Sequence, residues 1–282
     1  TQTRSLRLMD KSGKEWVLRP VKKYTNQAFA ENVMGSSRDQ FKPEISTAAH
    51  PYGSLIVPDL ANALNLKVAR PELFYVPEDS IVLGIYTKLF ANNVCILEPR
   101  NFTEDGSETK TTAKIFFKNM LEDNDHRADQ LGVLKARLLD FVIGDFDRHF
   151  DQWRWITIDS ADMKGKIYYP VPRDRDQAFF NPTGKIFRLI GSREMPWLKG
   201  FKNEIKKVNW LGYTARDFDR IFLNNLTDKQ WKTAADEVVN NLSDSVIRNA
   251  VKQLPPEIFA ISGETTIRKM ISRRKQLEKE AM

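Results

Sequence analysis

The sequence predicts an α+β protein of two unequal parts, a small N-terminal lobe containing β-sheet and a larger, mostly helical C-terminal lobe. Three observations predict it. Strand-like runs gather in the first hundred residues, helical spacing dominates the remainder, and Pro99 to Thr112 shows little periodicity and reads as an exposed loop between the two. The lobes are drawn at 1–100 and 101–282 on this basis.

Leu6-Arg7-Leu8 and Trp16-Val17-Leu18-Arg19 flank Asp10-Lys11-Ser12-Gly13-Lys14, which predicts a β-hairpin with a glycine-containing turn. After a polar stretch, Ile45, Ala48, Ala49, Tyr52, Leu55 and Ile56 predict a helix re-aimed near Pro51, and Leu60, Ala63 and Leu64 a second short one. Leu73-Phe74-Tyr75-Val76 and Val94-Cys95-Ile96-Leu97 read as strands, with Ile81 to Phe90 as a further strand between them. In the larger lobe, Leu131, Leu134, Ala136, Leu138, Leu139 and Val142 form a broad apolar helix surface, capped by Asp129 and ending near Gly144. Trp153-Arg154-Trp155-Ile156 and Ile167-Tyr168-Tyr169 form a strand pair, in which the two tryptophans alternate with polar positions and read as core. Helices are predicted to begin near Thr227, Ser243 and Gly263, with Pro255-Pro256 separating the last two.

Composition narrows the chemistry. Cys95 is the only cysteine, which excludes an intrachain disulfide and a cysteine-rich zinc site, and its apolar strand predicts a buried thiol. His50, His126 and His149 are far apart in sequence, so hard, oxygen-ligated cations suit the acidic loops better than zinc. The net charge of +7 favours polyanions in general, including nucleotides, nucleic acid and anionic lipid head groups. Much of the excess sits in the last helix at Arg268, Lys269, Arg273, Arg274, Lys275 and Lys279, read as a solvated face or a basic surface for an acidic partner. No apolar run approaches the roughly 20 residues of a transmembrane helix, and no signal peptide is visible. The chain begins at Thr1 within a strand-like pattern, which predicts a piece cut from a longer protein with flanking domains.

Two acidic, aromatic-flanked loops carry the chemical signal, Gly144-Asp145-Phe146-Asp147-Arg148-His149-Phe150-Asp151-Gln152 and Pro172-Arg173-Asp174-Arg175-Asp176-Gln177-Ala178-Phe179. Phosphoryl transfer needs one carboxylate to orient the attacking hydroxyl and others to hold magnesium against phosphate oxygens. Aspartates at such positions also cap helix ends and turns without catalysis. Arg148 and His149 read as residues that brace the loop.

The first loop, with Gln152 five positions after Asp147, resembles the catalytic loop of the protein-kinase-like superfamily. It is similar to the atypical branches: phosphoinositide-kinase-like, HipA-like, secretory-pathway Fam20-like and spore-coat CotH-like kinases. The second loop resembles the CotH pattern Pro-Trp-Asp-x-Asp-x-x-Phe. The resemblance implies a two-lobed kinase-like fold with Asp147 as the catalytic aspartate. It implies metal binding by Gln152, or by Asp151 in its stead, and by Asp174 or Asp176. Trp16-Val17-Leu18-Arg19-Pro20 resembles the strand that carries the phosphate-binding lysine, with arginine in its place. Lys22 could substitute for it, Glu44 is the implied helix acid that pairs the cation, and Val94 to Glu98 would lead into an adenine-binding hinge. The implied cofactors are Mg2+ or Mn2+ with ATP or another nucleotide, and the acceptor is open. No glycine-rich phosphate loop precedes Leu6, so Thr1-Gln2-Thr3 would be the tail of one.

Gln2 to Arg7, Ala48 to Tyr52 and the Asp-rich loops also resemble kinase-like modules of large bacterial cell-envelope proteins, which implies a periplasmic location, where ATP is scarce, with a cytoplasmic one left open. Three function classes follow: a phosphotransferase, a noncatalytic kinase-like binding module, and a metal-dependent phosphodiesterase or nuclease acting on a polyanion. Nucleic acid is the least favoured partner.

Overall fold

Asp10 shapes the first hairpin, because its carboxylate accepts from the backbone N–H of Ser12 at 2.8 Å and of Lys14 at 3.0 Å, while Gly13 takes a left-handed φ of 84°. The turn joins β1 (Leu6–Met9) to β2 (Glu15–Pro20) in the computed structural model, which describes residues 5–22, 48–158, 164–182, 197–198, 200–206 and 208–280. With β3 (Glu72–Val76) and β4 (Asn93–Pro99) they form an antiparallel sheet in the order β1-β2-β4-β3. One face buries Leu18, Val76 and Cys95, so the thiol is buried as its apolar strand predicts.

The segment Ile81 to Phe90 is not a strand. It forms three helical turns, Ser80–Leu83, Gly84–Tyr86 and Thr87–Phe90. Asp79 caps the first by accepting from the N–H groups of Ile81 and Val82, and Leu83, Leu89 and Phe90 pack onto the sheet. Local capping and this packing override the β-propensity of Ile81 and Val82. The stretch Pro99 to Thr112 also departs from an exposed loop. Phe102 packs edge-on against Trp16 at 4.9 Å, and Thr103, Thr109 and Thr112 are buried. Its end supplies β5 (Lys110–Thr111).

The second sheet has the order β5-β7-β8-β6, built on the hairpin of β7 (Trp153–Ile158) and β8 (Ile167–Pro172), with β6 (Arg127–Ala128) parallel to β8. Trp153 and Trp155 point inward as predicted. Trp153 stacks on Phe218 at 4.3 Å and Trp155 packs on Phe222 at 4.8 Å.

The helix α1 (Val57–Ala63) buries Val57, Leu60 and Ala61 in the larger of the two cores, as do the flanking residues Ala49, Leu64 and Val68. At the centre of that core runs α2 (Gln130–Ile143), apolar around most of its circumference. Asp129 caps it through the N–H of Gly132, and Gly144 ends it at φ 69°, where an added Cβ would stand 3.0 Å from Phe201. The helix α3 (Arg216–Phe222) is joined to α2 through Asp219 and Arg137, and α4 (Asp228–Asn241) packs against α2. Within the same core α5 (Asp244–Val251) packs on α1 and on α6 (Glu264–Glu280), which itself packs against α2. Thr227 and Gln230 form a capping box on α4, and Ser243 caps α5.

The last helix is not simply a solvated basic face. Arg273 is buried and donates to the carbonyls of Phe141 and Val142 at the end of α2, and to those of Lys202 and Glu204. Arg274 reaches the Leu242 carbonyl at 2.6 Å and Asp244 at 2.8 Å. Both cations satisfy carbonyls at helix ends, where the backbone dipoles favour positive charge. Among the described residues no helix is long and apolar enough to cross a membrane.

Candidate functional site

The two acidic loops meet. Arg173 donates its backbone N–H to the Gln152 carbonyl at 2.8 Å, and Arg148 donates to the carbonyls of Arg173 and Gln152 at 2.7 and 3.2 Å. Arg148 is fully buried, with its guanidinium 4.9 Å from the Trp153 ring. It therefore braces the loops, as the sequence predicts. His149 accepts from the Asp151 N–H at 3.3 Å, with Nε2 lying 3.7 Å from Asp147.

Beneath the loops lies a buried charge network centred on Asp140, in the last turn of α2. Its carboxylate takes Arg137 at 2.7 Å, an ion pair with Arg175, and Arg148 at 3.4 Å. Arg175 also reaches Asp145 at 3.2 Å, and Arg137 reaches Asp219 at 2.8 Å. Burial alone would keep Asp140 protonated, but Arg175, Arg148 and Arg137 together hold its pKa below the ordinary carboxylate value. Asp145 moves the other way. Burial, with the charges of Asp140 and Asp147, pushes it up to about 6 against Arg148 and Arg175. Sequence reasoning missed this network, since only the fold reveals that α2 carries an arginine and an aspartate one turn apart beneath both loops.

Above the network stand the candidate catalytic groups. Asp147 is partly exposed, and burial first, then the charge of Asp174, raises its pKa against His149, Arg148 and the Gln152 amide. Asp174 sits at φ 54°, a left-handed conformation costly for a residue with a side chain and common at functional sites. Arg19 reaches Asp174 at 3.6 Å from the opposite sheet. A cavity is walled by Arg19, Ile96 and Glu98 of the first sheet, by His50 and by Asp174 and Asp176 of the second acidic loop, and Asp147 is near enough to Asp174 to feel its charge. Asp151 is exposed, with its carbonyl bonded to Arg154 at 2.9 Å. Lys22 is exposed just past the end of β2. Glu44 lies outside the described residues.

The acid that Arg19 meets is Glu98, which the sequence reading treated only as the end of a hinge strand. Arg19 pairs with Ile96 in the β2–β4 register, so Glu98, two residues on, is its diagonal neighbour on the same face. Glu98 is buried and accepts from Arg19 at 2.7 Å and from Arg173 at 3.1 Å. Burial opposes its charge, but Arg173 and Arg19 overcome that and hold its pKa below the ordinary value. Arg173 also donates to the carbonyls of Pro99 and Arg100, which ties the Asp174 loop to the end of β4. Acid and cation on one face of two paired strands was the available signal.

Among the described residues no three His, Cys, Asp or Glu side chains converge as a metal cage. Magnesium is commonly held by one or two carboxylates plus substrate phosphates instead. The mutual repulsion of Asp147 and Asp174, which a cation between them would relieve, fits that mode.

A search of solved structures finds similarity to the Helicobacter pylori proinflammatory kinase CtkA, with a TM-score of 0.50 and 13% identity over 100% of this chain and 92% of that one. No protein-family model matches the chain, and no curated protein matches it. The structural likeness shows the fold: a kinase-like α+β architecture with a small sheet-containing lobe and a larger helical lobe.

Two outcomes test the site. Asp140→Ala leaves Arg137, Arg148 and Arg175 short of their shared acid and is expected to cost about 3–5 kcal/mol of stability in urea unfolding. A carbon-13 carboxylate titration is expected to show Asp147 titrating above the ordinary aspartate range. In Asp174→Asn that pKa falls, because loss of a like charge favours the ionised form.

Proposed function

We propose that the chain is an atypical kinase-like phosphotransferase domain that uses a divalent cation, Mg2+ or Mn2+, and a nucleotide donor such as ATP. The carrying observation is that the two acidic loops are bonded to each other, so that Asp147 feels the charge of Asp174, and that Asp174, Asp176 and Arg19 line one cavity. The Asp-x-Asp spacing of Asp174 and Asp176 and the arginine-bearing strand support a branch resembling CotH-like and HipA-like kinases.

In this reading Asp147 orients the acceptor hydroxyl and takes its proton as the new oxygen–phosphorus bond forms and the bond to the departing diphosphate breaks. Its raised pKa suits a proton acceptor better than an ordinary exposed aspartate. Asp174, with Gln152 and Asp176 as further donors, would hold the cation, which supplies charge neutralisation at the phosphate oxygens when bound. Arg19 neutralises the donor phosphates, with Glu98 fixing its guanidinium. A second reading, a noncatalytic nucleotide-binding module, is favoured by Gln152 and Arg19, which depart from the asparagine and lysine that the resemblance implies.

Phosphate transfer from radiolabelled ATP to a panel of protein and small hydroxyl acceptors separates the two. The proposal predicts metal-dependent transfer that Asp147→Asn lowers by about 100-fold or more while nucleotide affinity changes little. Full activity in that variant contradicts the assignment of Asp147. Binding without transfer to any acceptor favours the module.

A further inference from the structure

Arg19 serves two acids at once. One terminal nitrogen is held by Glu98 at 2.7 Å, and the other faces Asp174 at 3.6 Å. Asp174 is the carboxylate proposed above to receive the divalent cation, so Arg19 already stands as a positive charge beside it. A metal ion entering alone would meet that charge at close range.

The two contacts of Arg19 differ in kind. Glu98 is buried and also fixed by Arg173, so its bond to Arg19 is the anchored one. The Arg19–Asp174 pair is longer and partly open to solvent, with side-chain exposures of 26% and 36%, and is the contact a ligand could exchange. Arginine suits both contacts, since its fork presents a separate terminal nitrogen to each acid, where lysine brings a single ammonium on a shorter arm. Asp147 supplies the opposing pressure. Once Arg19 leaves Asp174, the two carboxylates repel each other unless another cation arrives.

Resting on the phosphotransferase reading, we infer that Arg19 is a charge latch on Asp174. In the ligand-free cleft it stands in for the divalent cation, and donor phosphate oxygens draw it away so that phosphate and metal bind cooperatively. Phosphate takes over one arm of the guanidinium while Glu98 keeps the other, and the exposed carboxylate then accepts the metal. Linkage makes the effect reciprocal: each ligand tightens the other by the same factor.

Manganese binding to the intact chain tests this, measured by the EPR signal of free Mn2+ with and without a nonhydrolysable ATP analogue, and with circular dichroism to check folding. The wild-type chain is expected to bind manganese weakly alone and more tightly with the analogue. Arg19→Gln is expected to bind manganese alone about five-fold more tightly than wild type, the scale of one partly exposed ion pair, and to lose most of the cooperativity. Arg19→Lys, which keeps the charge and protects the test if Arg19→Gln does not fold, is expected to shift the same way by a smaller factor, because the shorter side chain held by Glu98 draws its charge back from Asp174. Arg154→Gln controls for general charge. Its field reaches Asp174, but its guanidinium is committed to the carbonyls of Asp151 and Trp153.

Manganese-only affinity that is unchanged in both Arg19 variants, or raised equally in Arg154→Gln, overturns the latch. Failure of the wild-type chain to bind the analogue overturns the phosphotransferase reading instead, and the manganese-only comparison still decides the latch.

Discussion

The Asp140 carboxylate is the constraint on which the site depends. It is fully buried at the end of the central helix and meets arginines from three places: Arg137 in the helix, Arg148 in the first acidic loop and Arg175 in the second. Burying so many charges is costly unless each finds a partner, and here the pairing is available only when both loops sit over the helix end. The network therefore acts as a geometric specification. It positions Asp147 and Asp174 on backbone that has little freedom to move apart.

The same economy recurs at the second tier. Glu98 gathers Arg19 from one sheet and Arg173 from the loop that begins the other half of the site, and Arg173 itself binds carbonyls at the end of β4. Two buried acids thus organise five arginines and leave the partly exposed aspartates to face ligand. Structural charge is buried and paired, whereas the charge assigned to function is half open, as phosphate and cation exchange requires.

Much of this was legible in the sequence. The hairpin at Asp10–Gly13, the helix bounded by Asp129 and Gly144, the paired tryptophans and the capped C-terminal helices all carry local signals strong enough to survive tertiary context. Ile81 to Phe90 misled because β-branched residues can be held in helical turns when an Asp79 cap and the Leu83 and Phe90 contacts outweigh propensity. Arg273 and Arg274 misled because composition cannot tell a solvated arginine from one buried on helix-end carbonyls. At the site, the spacing of Asp147, Gln152, Asp174 and Asp176 was readable as two loops. Their contact was not, because Arg148 makes it by reaching the Arg173 carbonyl 25 residues along the chain, and Asp140 underpins it by pairing with Arg175, 35 residues away.

The most direct measurement is the anomalous scattering of manganese in crystals grown with Mn2+ and a nonhydrolysable ATP analogue. The account predicts a manganese peak bound by the Asp174 carboxylate, near Gln152 and facing Asp147, with Arg19 turned onto phosphate. Manganese and nucleotide bound elsewhere, with Arg19 still on Asp174, would contradict it.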